Sequence, residues 1–174
     1  MMQNAHHWPC RRTIVVGVDG SSGSKAALRW ALEQAERTGA DVEAVHVWTP
    51  DTTCYACMPV PLDVDDLADA AETTLLDALV EVTREYGRSA PIRPRVLRGL
   101  PAEELLHAAR HAQMLVLGAP THGTMAGLLL GSVSHQCVQR ATCPVLVTPA
   151  VPHQLPPPSL RCADAGQPAI PPRS

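Results

Sequence analysis

Thr13-Ile14-Val15-Val16-Gly17-Val18-Asp19-Gly20-Ser21-Ser22-Gly23-Ser24, read on through Gly39, decides the fold. Thr13–Val18 is a short apolar run rich in β-branched residues, the pattern of a strand buried on both faces of a parallel sheet. A helix follows. Ser21, Ser22 and Ser24 offer N-caps, Ala27, Leu28, Ala31, Leu32 and Ala35 recur at helical spacing, and Gly39 supplies the stop.

The same alternation continues outward. Val42–Trp48 (VEAVHVW) reads as the second strand, and Thr49–Pro61 as a loop. A long helix over Asp63–Tyr86 follows, with Leu67, Ala71, Leu75, Ala78 and Val82 among the residues of one stripe. Ile92–Leu97 is a third strand whose internal Pro94 points to a sheet edge or a displaced boundary. Pro101 opens a helix with Glu103 and Glu104 in its first turn, where the helix dipole favours acids. Met114–Leu117 is the fourth strand, Leu130–Ala141 the fourth helix and Val145–Val147 the last strand. Five strands alternating with helices predict a single α/β domain, a doubly wound, Rossmann-like five-stranded parallel sheet. In such sheets ligands collect beyond the carboxyl ends of the strands, where strand order reverses. The residues just after strands one, two and four are therefore the candidates for function.

Composition bounds the rest. The chain has 174 residues, 45% hydrophobic and 18% charged, with a formal net charge of -3. No cationic surplus is available to condense onto a phosphate backbone, which argues against a nucleic-acid partner. No apolar run approaches the roughly 18 to 20 residues that cross a bilayer. The opening Met1-Met2-Gln3-Asn4-Ala5-His6-His7-Trp8 lacks the order of a secretion signal, so the expected location is cytoplasmic and the six cysteines are expected as thiols. With no Phe, the core must be built from Ala, Val and Leu. Seven of the seventeen prolines fall in 151–174, read as a disordered tail; 1–11 is a patternless extension, leaving 12–150 as the folded domain.

At the strand ends, Asp19 can accept from ribose hydroxyls or help hold a cation, or can serve simply as a turn acid. Gly17–Lys25 resembles a Walker-type phosphate loop but fails it, because Lys25 is followed by Ala26. After strand four, Gly118-Ala119-Pro120-Thr121-His122-Gly123-Thr124-Met125-Ala126-Gly127-Leu128-Leu129-Leu130-Gly131-Ser132 is a glycine-rich connection ending on a serine at a helix start. Free main-chain amides there, with the positive end of the helix dipole, suit phosphate oxygens.

These segments, VVGVDGS, VEAVHVW and GAPTHGTMAGLLLGSVSHQCVQRATCPVLV, resemble the universal stress protein family over Arg12–Pro149. The last of them is similar to the signature of its nucleotide-binding branch, which reads G-x-x-G, nine residues, then G-[ST]. The resemblance implies ATP, with or without Mg²⁺, as ligand, an adenine nucleotide held at the strand ends, and a stress-response regulator or sensor. Gly118 takes the first glycine position and Gly131-Ser132, followed by Val133, the closing pair. Gly17 and Asp19 match the strand-one contacts, and Val47 the residue whose main chain faces adenine. Thr121 stands where the second glycine belongs and Pro120 where a polar or basic residue is common, with Gly123 placed to take over part of the role. The resemblance also implies a homodimer through the last strand, a pairing that would protect the Val145–Val147 edge.

Two other readings stay open: a nucleotide-free dimeric interaction module with a decayed pocket, and an enzyme of adenylate-forming or pyrophosphatase type. No nucleophile–base pair or carboxylate pair is assembled by spacing, so at most slow ATP hydrolysis is expected, and no metal site. Cys54-Tyr55-Ala56-Cys57 has the spacing of a zinc half-site or redox pair but not the context. His46 is expected to pack with one hydrogen bond, His107 and His111 to lie on an exposed helix face, and Cys137 to be a core thiol.

Overall fold

A computed structural model describes residues 12–50, 64–86, 91–119 and 130–149. The strands are β1 (Thr13–Gly17), β2 (Asp41–Trp48), β3 (Ile92–Arg98), β4 (Met114–Gly118) and β5 (Val145–Thr148). The helices are α1 (Ser22–Thr38), α2 (Val64–Tyr86), α3 (Pro101–Ala108) and α4 (Ser132–Arg140), with a 3₁₀ turn at Ala109–His111. All strand pairs are parallel, in the order β3-β2-β1-β4-β5. The chain therefore winds outward in one direction and then the other, and the reversal falls between β1 and β4.

Successive β1 residues feed opposite layers, because side chains alternate along a strand. Ile14 and Val16 pack with Leu28, Leu32, Leu75 and Val82 under α1 and α2. Val15 packs with Val45, Leu105, Leu115 and Cys137 under α3 and α4. Each fully buried Leu or Val contributes about 1.5–3 kcal/mol over leaving it in water. α1 takes its start from Ser21, whose side chain accepts from the Ser24 amide, and its stop from Gly39 at φ 67. That left-handed conformation suits glycine because it has no Cβ.

The edges explain two sequence features. Val42 N donates to the Pro91 carbonyl and Gly99 N to that of Trp48, so odd-numbered β3 residues face β2 and Pro94 faces outward. Pro94 thus lacks its N–H on the open side of an edge strand, where no ladder bond is lost. On the other edge, Leu115 N donates to Pro144 O and Ala119 N to Thr148 O, which turns the main chain of Val145 and Val147 outward.

The fourth helix is shorter than its apolar pattern suggests. Gly131 is extended at φ -69, ψ 165 and Ala141 at φ -67, ψ 144, trimming the helix to Ser132–Arg140. The Cys54–Cys57 loop, the segment with Pro120, Thr121, His122 and Gly123, and both terminal stretches lie outside the described residues. Among the described residues, no helix is long and apolar enough to cross a membrane.

Candidate functional site at the strand ends

β1 ends at Gly17, and Val18 N still reaches the Val45 carbonyl at 2.8 Å before the chain turns away. The turn is a closed knot of short bonds. Asp19 Oδ1 accepts from Ser21 N at 3.0 Å, Ser24 Oγ accepts from Asp19 N at 3.2 Å, and Ser24 Oγ donates to Ser21 O at 3.0 Å. Asp19 is therefore a turn acid as well as a residue of the cleft. Burial pushes its carboxyl upward, but the hydrogen bonds from Ser21 and Ser24 prevail and hold it below the ordinary carboxylate value. It stands in the cleft as an anion.

His46 stands beside this knot with Nδ1 2.7 Å from the Val18 carbonyl. Since a carbonyl only accepts, Nδ1 carries the proton, and the single bond expected of this residue is made. The alternation that aims the Val45 carbonyl at β1 also aims Val47 to that side, two residues beyond the last β1 pairing, at the mouth of the cleft.

The cleft has a volume of about 260 Å³ and sits at the switch point between β1 and β4. Gly17, Asp19, Val47, Gly118, Gly131, Ser132 and Val133 all line it. Thr121 and Gly123 belong to the connection outside the described residues. One wall is apolar, made by Val45, Val47, Leu105 and Leu117; Asp19, Ser21 and the start of α4 form the polar part. Gly131 caps α4 without a side-chain hydrogen bond, so the first amides of the helix have no side-chain acceptor from the cap.

Two glycine roles emerge that spacing alone did not reveal. A Cβ on Gly118 would lie 2.2 Å from the Gly23 carbonyl carbon, and one on Gly23 would lie 2.2 Å from Ala119 O. The end of β4 and the first turn of α1 are in main-chain contact, which only glycine permits. At Gly17 a Cβ would meet Leu117 Cδ2 at 2.7 Å, so the missing side chain lets the leucine wall close over the strand.

Sequence reasoning missed the contribution of α3. Pro101 and Leu105 line the cleft, yet read in sequence as a helix start and a core position. Ser134, buried in α4, donates to the Gly118 carbonyl at 3.4 Å and ties the helix to the end of β4. Cys137 is fully buried, its thiol pushed by burial up to about 11. His107 and His111 are exposed, and among the described residues no group of metal-binding side chains converges.

Fold and cleft together define an open α/β domain with a glycine- and serine-lined cleft at its topological switch point, where domains of this class bind ligands. The model of the universal stress protein family matches residues 11–149, and the chain belongs to that family. A universal stress protein of Mycolicibacterium smegmatis is 34% identical over 137 residues, covering 79% of this chain and 45% of the relative. The chain spans about half the length of the curated relatives it matches. Among solved structures, a universal stress family protein from Burkholderia pseudomallei aligns at 29% identity and TM-score 0.58, covering 82% of this chain and 98% of that one. A universal stress protein solved in complex with cAMP aligns at 25% identity and TM-score 0.53, over 81% of this chain and 98% of its own.

Proposed function

We propose that this chain is an adenine-nucleotide-binding regulatory module, in which ligand binding biases interactions rather than feeding turnover. The observation that carries this reading is the placement of an ionised aspartate and an uncapped helix start around one cleft with an apolar wall. The base would lie against Val45, Val47 and Leu105, with the Val47 main chain reading its edge. Asp19 would accept from the ribose hydroxyls. Gly131, Ser132 and Val133 would meet phosphate oxygen with main-chain N–H and the Ser132 hydroxyl, with Gly17 and Gly118 lining the cleft and Thr121 and Gly123 assigned to the same site by the resemblance. The cAMP complex of a similar protein supports an adenine nucleotide as the ligand class. ATP, with or without Mg²⁺, is the ligand implied by resemblance to the ATP-binding branch. No group placed to activate water lines the described cleft, so slow hydrolysis at most is expected.

The module is further proposed to act in the cytoplasm as a homodimer through β5, with no nucleic-acid partner. A nucleotide-free interaction module is the second reading, favoured by Thr121 and Pro120 in place of the family's glycine and polar residue. Equilibrium binding of adenine nucleotides to purified protein separates the two. Saturable binding, lost in Asp19→Ala and Gly131→Ala variants that retain the native circular dichroism spectrum, is expected; no saturation at millimolar ligand would favour the second reading.

A further inference from the structure

The outer face of α2 carries an apolar row that the core does not use. Leu75, Ala78, Leu79 and Val82 turn inward over the sheet, whereas Leu76 and Val80 are 43% and 51% exposed. Scattered exposed apolar residues are ordinary, but these two stand four apart and lie side by side on one helix face. Thr73 and Thr83 extend the row by three residues at either end. Their hydroxyls donate back to the Asp69 and Leu79 carbonyls, at 2.9 and 2.7 Å, and are satisfied within the helix. The row therefore asks for no polar partner. Its alternating three- and four-residue spacing is that of a seam between two helices crossing at a shallow angle.

The charges beside the row are nearly all of one sign. Only Arg84 is basic among the charged residues of α2. Glu81 and Glu85, on the side toward α1, are already paired with Lys25 and Arg29. Asp66, Asp69, Glu72 and Asp77 are exposed, and among the described residues none of them enters an ion pair. This polarity selects the occupant. A second copy laying the same face against it sets acid against acid, and an anionic membrane or a nucleic acid is repelled.

We propose that this face docks a basic amphipathic helix of a protein partner, with aliphatic residues three and four apart over Leu76 and Val80 and lysine or arginine along the flanks. The surface is independent of the nucleotide reading. α2 packs on β2, β3 and α1, and contributes no residue to the described lining of the cleft.

Fluorescence anisotropy of the full chain with three labelled peptides of about 18 residues, or five helical turns, tests it. The first has leucines on one helix face and lysines on its flanks; the second has the same composition with the leucines spread around the helix; the third replaces lysine by glutamate. Saturable one-to-one binding of the first is expected, with the other two about tenfold or more weaker. Leu76→Ser combined with Val80→Ser, both exposed, is expected to weaken the first peptide about tenfold at an unchanged circular dichroism spectrum. Asp69→Asn combined with Asp77→Asn is expected to weaken it at low salt and to flatten its salt dependence. Equal binding of the second or third peptide, or unchanged affinity in the serine variant, overturns the proposal. Self-association in sedimentation velocity that the serine variant abolishes assigns the face to a second copy and also overturns it.

Discussion

At the scale of single residues, three glycines and one aspartate carry the most consequence. Gly23→Ala and Gly118→Ala each place a methyl group against main chain at 2.2 Å, with no flexible side chain to yield. Chemical denaturation should show each losing about 1–3 kcal/mol or more, as overpacking of a close contact does. Gly39→Ala meets nothing within 4 Å and strains only a φ of 67, so about 1 kcal/mol is expected from the same measurement. Asp19 gives a pH signature. Its folded pKa lies below the ordinary value of 3.8, so its stabilising contribution is present above that value and is lost as pH falls through the lowered one. Denaturation curves of the parent and Asp19→Asn should therefore differ at neutral pH and converge at acid pH. The sequence made Asp19 and the Gly131-Ser132 pair legible as residues of the cleft because each lies in a short local pattern beside a strand end or helix start. It did not disclose that Gly118 touches Gly23, since that contact exists only once β4 lies beside α1.

At the scale of elements, the helices are unequally anchored. α1 buries Ala27, Leu28, Ala31, Leu32 and Ala35 against the sheet, whereas the buried residues of α4 are Ser134 and Cys137. The ties of α4 include Val133 packed partly buried against the Val15–Leu115 cluster, a 3.4 Å bond from Ser134 to Gly118, a 3.9 Å thiol contact from Cys137 to Ala102, and an exposed Arg140–Glu103 pair. Exposed pairs of that kind contribute about 0–1 kcal/mol. Hydrogen exchange should find α4 amides opening well below the global unfolding free energy and α1 amides close to it, with added nucleotide slowing α4 in particular. Equal protection of the two helices would contradict this ordering. Leu28→Ala, by contrast, should cost about 2–5 kcal/mol by denaturant titration, since it empties a fully buried site. The strands and helices were readable because their periods are unambiguous; the weak seating of α4 was not, because its pattern counts Val133 and Val138 as apolar without saying which way they face. Val138 proves 48% exposed.

At the scale of the whole molecule, the sheet has two unlike borders. β3 closes one with outward-facing Pro94, while β5 presents the outward main chain of Val145 and Val147. Val147→Pro removes an N–H that β4 does not use, so it should leave the monomer folded and shift a β5-mediated dimer to monomer in sedimentation velocity. An unshifted dimer would place the contact elsewhere. The alternation that exposes Val147 was not readable from the sequence, because it depends on pairing register rather than on side-chain type. Were β5 to pair with a second copy as proposed, one open border and one proline-blunted border would also set a ceiling on growth. Two copies joined back to back about a two-fold axis would consume both sticky margins and leave proline-marked strands at either extremity, so the assembly would terminate at a pair instead of propagating into a filament.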